Sequence, residues 1–291
     1  MRTILLLSLL ILCGAALAAP ESAPQHQAQL VQGAFDSSSD QQSLQRALAK
    51  AFGREVRISV ENVAAGDGAA GDLFGNSVAL SGDTALVGMI GDDTLAGANA
   101  GSAYVFTRTG TQWSQQAKLT ASDGAAGDRF GMSVALSGDT ALVGASLDDT
   151  PAGVDAGSAY VFTRSGTAWS EQQRLNAGDG AASDEFGRSV ALSGNTALVG
   201  AYFTDTPAGA DAGSAYIFTR PGPLWSQQSK LTASDGAASD EFGYSVALSG
   251  TTALVGAYRD DSAVTGNLDL GSAYLYTDNP NIFIDGFESV P

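Results

Sequence analysis

The chain has 291 residues, 36 of them Gly, and carries 14 Lys plus Arg against 31 Asp plus Glu, for a formal net charge of −17. That length suits one sizeable domain rather than two. The acidity excludes nucleic acid and anionic membrane surfaces, whose charge would repel the protein, and is compatible both with cation binding and with the solubility of an exported protein.

Residues 1–18 read as a signal peptide. Met1-Arg2 is the positive start, Ile4 to Leu12 the apolar stretch, and Ala16-Leu17-Ala18 the small-x-small signal that places cleavage before Ala19. The apolar stretch is too short to span a membrane, and no second one follows. Cys13 is the sole cysteine, but Leu12 precedes it where a lipidation site would want a small residue. The mature chain then has no thiol and draws no stability from disulfides.

Residues 19–54 divide into a polar lead and a short helix. The lead, 19–35, is rich in Pro, Gln and Ala and predicts no packed structure. Ser37–Phe52 predicts a helix capped by Ser39, with Asp40 in its first turn, a Leu44/Leu48/Phe52 stripe, and Gly53 as its stop. Such a helix could cover one end of the domain that follows. Residues 55–63 (Glu-Val-Arg-Ile-Ser-Val-Glu-Asn-Val) then read as a lone strand.

From there the chain repeats. Phe-Gly occurs at Phe74-Gly75, Phe130-Gly131, Phe186-Gly187 and Phe242-Gly243, at intervals of 56 residues, within units of about 64–119, 120–175, 176–231 and 232–277. Every copy carries Asp-Gly-Ala-Ala-x-Asp, Phe-Gly-x-Ser-Val-Ala-Leu-Ser-Gly, Thr-Ala-Leu-Val-Gly and Gly-Ser-Ala-Tyr. The second copy predicts strands at 133–137, 140–145, 158–164 and 167–175, the first two joined by the tight Ser137-Gly138-Asp139 turn. Strand three alternates Tyr160 and Phe162 with Ala159 and Val161. Strand four carries Trp169, and the remaining tryptophans, Trp113 and Trp225, sit at the same place in their copies.

A four-stranded unit that is apolar on both faces must stack on its own kind, in a ring of blades or in a solenoid. Four strands per repeat, small residues in the Ala-Leu-Val-Gly-Ala strand and a Gln-rich Trp strand favour the ring. The predicted fold class is therefore all-β, a β-propeller of four four-stranded blades with a short N-terminal helix. The fourth copy lacks a Trp strand. The favoured reading is that residues 55–63 complete its blade from the N-terminus; the alternatives are that Ile282–Phe287 supplies the strand from the tail, that the blades form an open arc, or that two chains combine into a larger ring.

The run Phe-Gly-x-Ser-Val-Ala-Leu-Ser-Gly-Asp-Thr-Ala-Leu-Val-Gly-Ala resembles the FG-GAP repeat, the blade motif of integrin α-chain propellers, in its bacterial form. The resemblance spans residues 64–277 and implies a propeller, an extracellular setting and a role in ligand binding or adhesion. There are departures: four repeats stand where the integrin propeller has seven. The family's Asp-x-Asp-x-Asp-Gly calcium loop is replaced by a short turn, Ser81-Gly82-Asp83 in the first copy, so that site does not carry over. The tail at 278–291, with Ile-Phe-Ile-Asp-Gly-Phe-Glu, is similar to C-terminal tails of exported Gram-negative proteins and could serve in sorting.

Two loop systems concentrate carboxylates. Asp67/Asp72, Asp123/Asp128, Asp179/Asp184 and Asp235/Asp240 bracket Gly-Ala-Ala turns, whose amides they can accept hydrogen bonds from. A longer loop carries Asp92, Asp93 and Asn99, then Asp148, Asp149 and Asp155, then Asp205 and Asp211, then Asp260, Asp261 and Asp269. These offer oxygens to a hard cation, so calcium is the one cofactor considered, with ordinary turns as the alternative. Tyr104, Tyr160, Tyr216 and Tyr274 read as packing between blades rather than as a sugar-binding set. Met89-Ile90, Ser146-Leu147, Tyr202-Phe203 and Tyr258-Arg259, just after the Val-Gly strand, vary between copies and could tune a binding face.

No His or Cys lies in the repeats, the one histidine being His26, which removes the usual bases, thiols and zinc ligands. The acid pairs recur with equal surroundings, whereas a catalytic acid and base need different ones. The expectation is a non-enzymatic, secreted or cell-surface module for an extracellular protein or glycan, of Gram-negative type. A structural envelope component and a carbohydrate-active enzyme are the alternatives.

Overall fold

A computed structural model describes residues 61–261 and 269–277. The segments read as signal peptide, helix and tail, and most of the proposed closing strand, lie outside the described residues. Strands β1 (Phe74–Ser81), β2 (Thr84–Met89), β3 (Ser102–Thr109) and β4 (Gln112–Leu119) form the first antiparallel sheet. The second holds β5 (Ser133–Ser137), β6 (Thr140–Ala145), β7 (Ser158–Ser165) and β8 (Ala168–Leu175). The third holds β9 (Ser189–Ser193), β10 (Thr196–Ala201), β11 (Ser214–Thr219) and β12 (Ser226–Leu231). The fourth shows β13 (Phe242–Ser249), β14 (Thr252–Ala257) and β15 (Ser272–Thr277) among the described residues.

The fold is all-β, with the blades of a β-propeller, as the repeat predicts. Each first hairpin turns on two residues, and its glycine, first of the two, takes the positive φ that a type II′ turn requires there, as at Gly138 with φ 56°. Strands β1, β5, β9 and β13 follow one another along the inner side. The second strands β6 and β10 are buried over their whole length, while the fourth strands are half exposed at the rim. Trp113 and Trp169 are partly covered there and Trp225 is buried, each under an arginine from the adjacent strand, Arg108, Arg164 and Arg220.

The Phe-Gly pair has two jobs. The phenyl ring packs on the aromatics of the third strand of its own blade: Phe130 lies 5.5 Å from Tyr160 and 5.9 Å from Phe162, and Phe186 and Phe242 repeat the pattern. The glycine lets blades meet at backbone distance. A Cβ on Gly187 would stand 2.3 Å from the Ser158 carbonyl oxygen of the preceding blade, one on Gly243 would stand 2.2 Å from that of Ser214, and the facing Val-Gly glycines are as close, a Cβ on Gly144 falling 2.0 Å from the Gly187 carbonyl oxygen.

Between blades the apolar faces interlock. Ala135, Leu142 and Val161 of the second blade pack on Val190, Val199 and Tyr216 of the third. Polar contacts fix the register. Ser133 donates its hydroxyl to the Gly187 carbonyl, and Ser137 Oγ accepts the Gly194 N–H across the boundary. The Glu61–Ala65 stretch leads into the first blade, where Val63 and Ala65 pack against Val87, Tyr104, Phe106 and Trp113.

Candidate ligand-binding site

The carboxylate loops resolve into three different roles. Asp72, Asp128, Asp184 and Asp240 each accept the amide N–H three residues back, closing the Gly-Ala-Ala turn. That is the role the sequence suggests for the whole set, but the other half does something else. Asp67 accepts the Tyr104 hydroxyl at 2.7 Å and pairs with Lys118 at 2.7 Å, and Lys118 also pairs with buried Asp92 at 2.7 Å. In the second repeat Tyr160 lies 2.9 Å from Asp123 and 3.1 Å from Asp148, with Arg174 ion-paired to both acids. Lys230 pairs with Asp179 at 2.6 Å in the third, where Thr204 replaces the inner acid.

Register explains these clusters, since Tyr104 stands opposite Lys118, Tyr160 opposite Arg174 and Tyr216 opposite Lys230 on the third and fourth strands. Their electrostatics follow from burial and pairing. Lys118, with Tyr104, holds the Asp67 carboxyl below its usual range. Burial pushes Asp123 upward, yet Tyr160 and Arg174 more than offset it and leave it below the usual range. Asp148, deeper, is pushed up by burial despite Ser158 and Arg174, and burial likewise raises Tyr160 and Tyr216.

The longer loop divides its acids between two directions. Asp92, Asp148 and Asp260 point inward to the tyrosine clusters. Asp93, Asp149, Asp205 and Asp261 instead accept the N–H of Asn99, Asp155, Asp211 and Asp269, whose backbones are left-handed with φ between 51° and 54°. The expected calcium ligands are thus turned to separate partners. Among the described residues no three acids group as a metal site. A recess of about 320 Å³ lies between Asp67, Asp72, Asp92, Asp93 and Asn99, and one of about 280 Å³ recurs in the third repeat. Tyr160 and Tyr216 are buried between blades, as the sequence predicts, Tyr104 is buried on the outer side of the first blade, and none of the three is open as a sugar platform.

One cluster breaks the fourfold pattern. At the boundary of the third and fourth blades, the Tyr202 and Tyr244 rings meet edge to face at 5.5 Å, and Tyr244 lies 4.3 Å from Tyr258. The Arg188 guanidinium sits 4.9 Å over Tyr244 and 5.9 Å over Tyr202. Tyr202 donates to Glu185 at 3.0 Å, and exposed Arg259 pairs with buried Glu241 at 3.0 Å. Burial pushes the Glu185 carboxyl up, against the pull of the Tyr202 hydroxyl. Tyr258 is 45% exposed, so the cluster reaches solvent.

Two of the four variable sites seen in the sequence, at Tyr202-Phe203 and Tyr258-Arg259, belong to this cluster, whereas Met89 and Ser146 are buried. Arg188, Tyr244, Glu185 and Glu241 escape a motif search. Their signal is the column after Phe-Gly (Asn76, Met132, Arg188, Tyr244) and the column before it (Leu73, Arg129, Glu185, Glu241), which vary inside an otherwise repeated frame. Stacked tyrosines, a guanidinium and paired carboxylates can together hold a planar or polyhydroxylated group.

Comparison with curated protein sequences gives no match. Among solved structures, the chain is similar to the computationally designed Ika4 protein, at 12% identity and a TM-score of 0.43, over 75% of this chain and 99% of that one. It is also similar to Saccharomyces cerevisiae Sqt1, at 13% identity and a TM-score of 0.39, over 68% of this chain and 48% of that one. The N-terminal domain of Nup159 matches at 11% identity and a TM-score of 0.37, over 69% of this chain and 44% of that one. The FG-GAP repeat family matches four times, at residues 58–106, 113–162, 169–218 and 225–276, in step with the four blades. The chain belongs to the FG-GAP repeat family.

Proposed function

We propose that this FG-GAP propeller is a secreted or cell-surface, non-enzymatic module of the ligand-binding or adhesion type, and that it engages an extracellular protein or glycan at the aromatic cluster of its third and fourth blades. The observation that carries this is the convergence of repeat-breaking residues (Arg188, Tyr202, Tyr244 and Tyr258) in one solvent-reaching patch. Selection on packing alone would leave these columns as uniform as the rest of the frame. Residues 1–18 support export, and the absence of His and Cys from the repeats supports binding over catalysis.

The test is a glycan and matrix-protein array probed with the mature chain, alongside Tyr244→Ala and Arg188→Ala. A specific signal lost in both variants, at unchanged thermal stability, is the expected result, since central aromatic and Arg contacts dominate binding. Binding that both variants retain would move the site elsewhere, and turnover of a bound glycan would replace the module by an enzyme.

A further inference from the structure

Among the described residues the same blade-to-blade interface is made three times, and much of both halves of a fourth is left without a neighbouring blade. On the first blade the face that should meet a preceding blade is open along its innermost strand: Val78 is 70% exposed and Leu80 62%, where their counterparts Val134 and Leu136 are under a tenth exposed, while Val87, Met89, Tyr104 and Phe106 farther out are buried and take Val63 and Ala65 in the fourth-strand position. On the fourth blade the opposite face is open. Leu275 is 69% exposed and Leu254 39%, where Val105, Val161 and Ile217, and Leu86, Leu142 and Leu198, are fully buried.

The polar and steric parts are unmated in the same way. Ser77, Ser133 and Ser189 donate to the carbonyls of Gly131, Gly187 and Gly243, but their counterpart Ser245 is exposed. Gly88, Gly144 and Gly200 each face a neighbouring blade's backbone at about 2 Å from an added Cβ, whereas Gly256 faces only Ser245 of its own blade. The receiving glycine on the first blade, Gly75, keeps the same φ of 92° as Gly131, yet nothing lies within 4 Å of its missing Cβ. Phe130, Phe186 and Phe242 donate their N–H groups to Ala100, Ala156 and Ala212 across the boundary; the corresponding carbonyl on the fourth blade belongs to exposed Leu270.

We infer that the first-blade face of one chain docks head to tail against the fourth-blade face of a second copy. The occupant each face is shaped for is the other face, because every inter-blade contact in the molecule joins those same two surfaces. Docking would seat Ser245 against the Gly75 carbonyl, bring Gly256 to Gly75, and bury Val78 and Leu80 under Leu254 and Leu275. It would also lay Glu61–Val63 along the edge of β15 that is unpaired among the described residues, with Val63 opposite Ala273, because Leu119, Leu175 and Leu231 stand opposite Ala103, Ala159 and Ala215. An exposed sheet edge is thereby covered. Such an interface is heterologous, so each chain offers one half at either end.

The mature chain, with Leu80→Asp and Leu275→Asp, tests this by light scattering and sedimentation. Both substitutions sit on exposed positions, so each variant should fold with an unchanged circular-dichroism spectrum; Val78→Asp and Leu254→Asp serve as a second pair. The wild type is expected at the mass of two or more chains. Each variant alone is expected as a single chain, its dissociation constant raised by about 100-fold or more through an unpaired buried charge. Mixing the two variants should restore association, because one retains an intact fourth-blade face and the other an intact first-blade face. A single-chain mass for the wild type overturns the inference, whether hydrogen exchange finds the faces open or covered by another segment of the same chain. Loss of association in only one variant overturns it too, since that would mean like faces meet.

Discussion

A glycine in this protein is worth what stands opposite it. Gly144 and Gly256 occupy the same place in their repeats and carry the same local sequence, Thr-Ala-Leu-Val-Gly-Ala. An added methyl at Gly144 would meet the Gly187 carbonyl at 2.0 Å, a backbone atom held by two sheets. At Gly256 it would meet only the Ser245 hydroxyl, at 2.5 Å, and a side-chain rotation clears that. Gly144→Ala is therefore expected to cost about 3 kcal/mol, because the blades must separate. Gly256→Ala, measured in the Leu80→Asp background that keeps the fourth face free, should shift stability by less than about 1 kcal/mol. Urea titrations of both decide it; equal losses would mean that strand geometry, not blade approach, selects this glycine.

At the scale of elements, a loop, a third strand and a fourth strand combine in each acid–tyrosine–cation cluster. Asp123 comes from the loop before β5, Tyr160 from β7 and Arg174 from β8. Because its carboxyl lies below the usual range in the folded protein, Asp123 adds stability at pH values above the ordinary Asp value of 3.8, and that stability is lost as the pH falls through its folded value. Its side chain is half exposed, so Asp123→Asn should cost only about 0.5–1 kcal/mol at pH 7, with the gap to wild type closing as the pH drops below 3.8. Chemical denaturation at pH 7 and pH 3 measures both, and a gap independent of pH would assign the loss to packing.

These same elements mark where the sequence is legible. The strands of the second blade fall within a residue or so of their expected bounds, because glycine turns at fixed spacing and two-residue alternation are local signals. The partners of Asp67 and Asp92 are not local. They follow from a cross-strand register that sets Tyr104 beside Lys118, so reading the acids alone does not find these pairings. The aromatic cluster is further removed, since Tyr244 comes from β13 and Arg188, Tyr202 and Tyr258 from the ends of β9, β10 and β14, and they meet only once blades stack.

Over the whole propeller, stability is a sum of blade terms and boundary terms, as in other repeat architectures. The second and third blades each have two faces covered by neighbouring blades, and the first and fourth have one apiece. Local opening should follow that count: with the end faces kept free by Leu80→Asp, amides of β6 and β10 are expected to exchange slowest. Those of β14 should exchange at least about tenfold faster, since Leu254 is 39% exposed where Leu142 and Leu198 are sealed. In the wild-type chain, docking of a second copy should bring β14 toward the rates of β6 and β10, and more so at higher protein concentration, because association stabilises only the folded ends. Hydrogen exchange resolved to single strands reads this directly. Equal protection of all four second strands in the Leu80→Asp chain would mean that the propeller opens as one unit and that the end faces carry no separate weakness.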